Sequence, residues 1–298
     1  MWTGLIDHVT LYKALRLEAT RFDKGTSKSL GSGHGTGFLV RVGVNGGRQR
    51  SLFLVTNRHV MDPAFGHDGP PRGQDEALTV SGYKQQPPGR GRYAHPRATK
   101  VKVLHPEVHF PGDSSVDLAV IRFDHELTEV VEGDGHFNTF TDDDIASPWV
   151  YDLGAVHAGT QVLTAGYPDF GGNRGEVTPP ILIGGIVASD PRFPVELSEG
   201  VRPYSVLSHA FSKSGMSGGP VFAPVSEASM FGEHPDKFEL RIVGVNAGHV
   251  HTGGDSAGVI SHYVNSIALL ELLADLGSDR AKFKLELERA FTSGEGAD

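Results

Sequence analysis

Ser217 stands in Ser214-Gly215-Met216-Ser217-Gly218-Gly219-Pro220, with an apolar pair, Val221-Phe222, directly after it. Glycines on both sides of a serine let the backbone turn sharply and present the hydroxyl. They also leave peptide N–H groups unshielded by a Cβ. A hydroxyl beside such donors suits acyl transfer, which needs a nucleophile and donors for the oxyanion that develops. A glycine-rich hairpin turn would look similar, and glycine is abundant here, at 39 of 298 residues. The nucleophile reading therefore needs a base, and an acid to orient that base, elsewhere in the chain.

A base that works near neutral pH is most simply a histidine. The chain has 15, so none is informative by type alone. His59 is set apart by position, in Asn57-Arg58-His59-Val60-Met61, at a short turn after the apolar run 51–56. His105 and His109 flank Glu107, but this is not the His-Glu-x-x-His pattern of a metal-binding helix, and Pro106 opposes a helix. His249 and His251 alternate at the end of an expected strand. No metal site and no cofactor is read from these residues. Asp117 is the best orienting acid. It opens the apolar run Leu118-Ala119-Val120-Ile121, where an unpaired carboxylate would be costly. Asp113 and Asp124 compete in looser surroundings, and a strand-end cap is the plain alternative for Asp117.

The elements that must position these residues are mostly short strands. Strands are expected at 51–56, 77–83, 98–104 and 117–123, and again at 160–167, 181–189, 203–210, 219–223, 239–246 and 257–261. The stretch Gly31-Ser32-Gly33-His34-Gly35-Thr36-Gly37 fits neither a dinucleotide fingerprint nor a P-loop. It reads as the start of a strand that passes close to another backbone. Residues 62–97 form a long loop broken by one strand, and the acidic stretch 124–150 reads as a solvated connection between two halves. Leu5, Ile6, Val9, Tyr12, Leu15 and Leu17 recur at near-helical spacing, so 4–22 is expected to be an amphipathic helix docked on the domain or on a partner. Residues 263–276 and 279–291 switch to helical period, with Gly277 as a stop.

The formal net charge of −9 argues against nucleic acid and anionic membrane surfaces as partners. The absence of cysteine excludes disulfides, thiolate catalysis and cysteine-based zinc sites. No apolar run approaches the roughly 20 residues that span a bilayer. Charges spaced closely through residues 7–21 interrupt any leader-like apolar core, and a cytoplasmic location is the expectation.

Taken together, Thr36-Gly37-Phe38-Leu39-Val40, Leu54-Val55-Thr56-Asn57-Arg58-His59, Asp117-Leu118-Ala119-Val120 and Gly215-Met216-Ser217-Gly218-Gly219-Pro220 resemble the chymotrypsin-like serine proteases. Without disulfides and with a glycine-rich lead-in, the chain looks more like the bacterial trypsin-like branch, including the HtrA proteases, but no PDZ-like segment follows. Gly166-Tyr167-Pro168 and Ala257-Gly258-Val259 look like further landmarks of the family. The resemblance implies a mainly β fold of two six-stranded antiparallel barrels with the site between them. The expected division is 1–30 helix and linker, 31–150 first barrel, 151–262 second barrel and 263–298 C-terminal helices. It also implies Ser217 as nucleophile, His59 as general base and acid, Asp117 as the orienting acid, and the N–H groups of Gly215 and Ser217 as the oxyanion hole.

In that family the base of the primary specificity pocket lies six residues before the serine, at Phe211 here. Its walls would be Asn246, Ala247, Gly248 and Gly258, favouring small or medium apolar side chains. Asp255 is the alternative, reaching in to select a basic residue. Met216 precedes the serine where digestive proteases carry an aspartate, so an inserted N-terminal amine would find no charge to pair with. Protein or peptide substrates are implied, with residues 4–22 and 279–291 as candidate docking faces for a regulatory protein. A silent protease-fold scaffold and an esterase are the competing functions.

Overall fold

Period-two alternation dominates the first half, and the chain there folds as paired strands. A short helix, α1 (His8–Leu11), precedes β1 (Ala14–Phe22), β2 (Ser29–Val44) and β3 (Gln49–Thr56). One helical turn, α2 (Arg58–Met61), carries His59. Then come β4 (Asp75–Lys84), β5 (Arg97–Leu104), β6 (Val108–His109), β7 (Ala119–Arg122), β8 (Thr128–Glu132) and β9 (Phe140–Thr141). This computed structural model describes residues 8–22, 29–62, 65, 75–84, 96–123, 128–169, 178–197, 200–225, 238–250 and 257–293.

The first nine strands make one sheet in the order β6-β7-β3-β2-β1-β4-β5-β8, with β9 beside β2 in parallel. Among the described residues β6 and β8 end this path without pairing to each other, so the closure expected of the first half is absent there. The second half begins with a 3-10 turn at Asp142–Asp144 and α3 (Trp149–Asp152). It continues through β10 (Gln161–Gly166), β11 (Ile181–Val187), β12 (Val195–Leu197), β13 (Gly200–Arg202), β14 (Ser205–Lys213), β15 (Pro220–Val225), β16 (Glu239–His249) and β17 (Ala257–Asn265). Six of these close into a barrel, β10-β11-β14-β17-β16-β15, and β12 with β13 forms a separate hairpin. The chain ends in α4 (Ser266–Asp275) and α5 (Asp279–Ser293).

The expected helix over 4–22 is overturned. Its described part holds only α1, and residues 14–22 are β1, paired on one side with β2 and on the other with β4. Leu15, Leu17, Ala19 and Arg21 are all buried, which is alternation with period two. Burying each leucine in the sheet contributes about 1.5–3 kcal/mol, whereas a short isolated helix is marginal in water. A strand hydrogen-bonded on both sides has no free edge for a partner strand to pair with. In α5 one face is buried, with Ala281, Lys284 and Leu285, while Phe283 on the other is exposed. Lys284 Nζ donates to the carbonyls of Asp142 (3.0 Å) and Ile145, fastening the helix to its own chain.

Of the stretch 124–150, expected as a solvated connection, residues 129–134 are exposed, but the part from Phe140 onward belongs to the core. Phe140, Ile145 and Ala146 are buried, and burial raises the Asp142 carboxyl above its ordinary value. Phe140 stands between Phe38 of the first sheet and Phe222 of the barrel, with ring centroids 5.7 Å from each. Edge-on aromatic pairs of this kind add about 0.5–1.5 kcal/mol beyond simple burial. The two halves therefore share one apolar seam, and the site lies along it.

Candidate active site

β3 delivers a buried Thr56 and Asn57 to the turn that presents His59. His59 Nδ1 lies 2.7 Å from Asp117 Oδ2, and the His59 backbone N–H donates to Asp117 Oδ1 at 3.0 Å. A carboxylate only accepts, so the Nδ1 proton sits on this bond and Nε2 is the acceptor nitrogen. The side chain of Asp117 is 11% exposed and that of His59 36%, so the acid is sheltered and the imidazole faces the cleft. Asp113, the competing acid, is engaged locally: Ser115 Oγ and N–H donate to its carboxylate at 2.6 and 2.8 Å and lower its pKa. Asp124 lies outside the described residues.

Neighbours of different origin hold the turn. Asn57 Nδ2 donates to the Asp117 carbonyl at 2.7 Å, so this asparagine ties the histidine segment to its acid. Arg21, buried on β1, donates to the carbonyls of Met61 (3.0 Å) and Val60 (3.4 Å) at the end of α2. Arg58 packs over the Phe110 ring at 4.7 Å. The Phe65 ring receives two guanidinium groups, Arg58 at 5.4 Å and Arg202 at 5.2 Å. Arg202 belongs to β13 of the second half and donates to the Ser115 carbonyl at 2.9 Å, two residues before Asp117.

The Ser217 loop joins β14 to β15 and is braced by neutral groups. Met216 N–H donates to the Lys213 carbonyl, Gly218 N–H to Asn246 and Gly219 N–H to Met216, at 3.0, 2.7 and 3.1 Å. Asn246 returns its side-chain amide to the Met216 carbonyl at 3.1 Å. The N–H groups of Gly215 and Ser217 have no hydrogen-bond partner among the described residues. A Cβ at Gly218 would overlap the Thr36 carbonyl oxygen and the Thr56 hydroxyl, so only glycine lets the loop lie this close to the first sheet.

β2 is the wall where the two segments meet. A Cβ at Gly35 would come 2.7 Å from Val60 Cγ2 and 3.0 Å from the Ser217 carbonyl oxygen. The glycine-rich stretch is thus a strand that runs close to other backbone, with Thr36 N–H donating to the Ser217 carbonyl at 2.7 Å. Its residue Thr36 is a constituent of the site that sequence reasoning passed over. Arg21 and Asn57 are two more. The only local signal for any of them is a polar side chain set in an apolar or glycine-rich run.

The residues expected to line the pocket differ in their exposure. Burial alternates along the end of β14, so Phe211 is 40% exposed whereas Ser212 is 1% exposed. At this point of β14 Ser212 faces the core and the Phe211 ring stays open to solvent. The pairing of β14 with β17 shifts register between His209 and Ser212. The Asn246 amide also approaches Ser212 Oγ at 3.4 Å. Ala247 is buried, Gly258 pairs with Ser212 across β14 and β17, and a Cβ at Gly248 would stand 3.8 Å from Ser217 Oγ. Asp255 and His251 lie outside the described residues. His109 pairs with Glu107 at 3.3 Å, and no cluster of three or more potential metal ligands occurs among the described residues.

Residues 35–228 match the model of the trypsin-like peptidase domain, a span of well over half the chain, and the protein belongs to that family. Among solved structures, the crystal structure of Deg5 is similar with a TM-score of 0.47 and 16% identity, covering 89% of this chain and 88% of that one. No match is found among the curated proteins.

Proposed function

We propose that this chain is a serine endopeptidase that hydrolyses peptide bonds through an acyl-enzyme. The observation that carries the reading is the His59–Asp117 pair at 2.7 Å, in a trypsin-like peptidase chain with a glycine-flanked serine. Ser217 Oγ attacks the scissile carbonyl carbon while its proton passes to His59 Nε2. Asp117 keeps the proton on Nδ1 and stabilises the imidazolium. The N–H groups of Gly215 and Ser217 receive the oxyanion. As the intermediate collapses, the C–N bond breaks and His59 returns the proton to the leaving amine. A water molecule then gives a proton to His59, its oxygen attacks the ester, and Ser217 leaves with the proton restored.

The candidate pocket residues Phe211, Asn246, Ala247, Gly248 and Gly258 carry no charge, which favours an uncharged, small or medium side chain before the scissile bond. Digestion of a peptide library by the wild type and by His59→Ala tests both levels. Cleavage after residues such as Ala, Val or Leu, lost in His59→Ala, is expected. Dominant cleavage after Arg or Lys, lost in Asp255→Asn, would refute the uncharged pocket. A folded wild type that leaves library and casein intact would favour the silent scaffold instead.

A further inference from the structure

Two consecutive peptide groups decide where the Gly215 N–H points, and both are held. The Ser214 carbonyl accepts from Asp169 N–H at 2.7 Å. The C=O and N–H of a trans peptide point in opposite directions, so this bond turns the Gly215 N–H away from Asp169. In the next peptide, the Met216 N–H goes to the Lys213 carbonyl at 3.0 Å and the Gly215 carbonyl accepts from Thr36 Oγ1 at 2.7 Å. The first of these bonds lies within the loop. Thr36 comes from β2 in the other half of the molecule, 179 residues away.

The Thr36 hydroxyl has little choice of direction. Tyr167 N–H donates to its oxygen at 3.0 Å, which leaves the hydroxyl proton for Gly215. The residue is fully buried, so water does not compete. Its main chain is engaged as well: the N–H donates to the Ser217 carbonyl, and the carbonyl accepts from Thr56 Oγ1, each at 2.7 Å. Thr56 lies three residues before His59. One residue thus touches both sides of Ser217 and the strand that carries the histidine. Met216, where a carboxylate could have received an ion-pair partner, is fully buried and uncharged.

We propose that Thr36 is a positioning residue for the oxyanion-binding loop, its hydroxyl fixing the Gly215 carbonyl and so aiming the neighbouring N–H groups without an ion pair. The proposal rests on the peptidase reading for its kinetic consequence, but the bracing itself can be measured without turnover.

The experiment compares full-length wild type, Thr36→Val and Thr36→Ser by steady-state kinetics on a peptide substrate and by amide hydrogen exchange. Valine keeps the shape and removes the hydroxyl; serine keeps the hydroxyl. Thr36→Val should lower kcat by about 100-fold with little change in KM, the pattern of a lost transition-state donor. Exchange should quicken across residues 213–219 and not across β3. Thr36→Ser should restore both. Unchanged kcat and exchange in Thr36→Val would overturn the proposal. So would a uniform rise in exchange through β3 and β15, which would make Thr36 a general stability residue. A wild type without turnover would refute the peptidase reading, and exchange across 213–219 would then decide the bracing on its own.

Discussion

The turn that carries His59 and the loop that carries Ser217 are held by opposite kinds of chemistry. Charged side chains surround the turn: Asp117 binds its ring and its backbone N–H, Arg21 caps the end of α2, and Arg58 packs over Phe110. The loop is held by backbone carbonyls, one asparagine amide and one threonine hydroxyl. A group that must gain and lose a proton benefits from a fixed countercharge. A pair of N–H groups that must keep one direction needs only short neutral bonds in a buried setting. Under the proposed mechanism, the difference separates proton handling from oxyanion geometry, each with its own support.

That contrast can be broken most severely at the nucleophile. Ser217→Ala should lower kcat on the order of 10⁶-fold, with no loss of thermal stability, because a single hydroxyl at the rim of the core contributes little to packing. His59→Ala should do nearly as much, and the double variant should be no worse than either, since the groups act as a unit. Additive losses in the double variant would refute their acting together.

Asp117→Asn should lower kcat on the order of 10⁴-fold by favouring the wrong imidazole tautomer. It also sharpens the comparison, because amide exchange across 213–219 should stay at the wild-type rate. Faster exchange there would mean that the charged and neutral supports are one system.

Smaller effects belong to the supports of the turn. Arg21→Met removes charge-assisted bonds to two carbonyls of α2 and should cost about 1.5–3 kcal/mol in denaturant unfolding. A variant as stable as the wild type would show that β1 does not hold the turn. Arg202→Gln removes one guanidinium from Phe65 and its hydrogen bond to the Ser115 carbonyl, and should cost about 1–2 kcal/mol by the same measurement. A larger loss would make the β12–β13 hairpin a principal support of the site.

Local pattern made much of this legible. β3, β4, β5, β10, β11 and the four strands β14 to β17 follow from apolar alternation and bounding turns, and α4 ends where Gly277 adopts a positive φ of 96°. The proximity of His59 and Asp117 was legible from their motifs. β1 was not, because Val9, Tyr12 and Leu15 fit helical spacing while Leu15, Leu17 and Ala19 fit a strand, and only pairing with β2 and β4 decides between them. The exposure of Phe211 beside a buried Ser212 was not legible, because counting back from the serine gives a position and not the phase of the strand. Thr36, Asn57 and Arg21 meet partners 179, 60 and 40 residues away, and no local pattern reports such distances.

Covalent labelling of the uncut full-length chain by a fluorophosphonate, read by mass spectrometry, bears most directly on an assembled nucleophile and an oxyanion loop braced without an ion pair. A single adduct on Ser217, formed with the N-terminal segment intact and absent from His59→Ala, is expected. A folded chain that takes no label, or takes it only after proteolytic removal of an N-terminal segment, would contradict it.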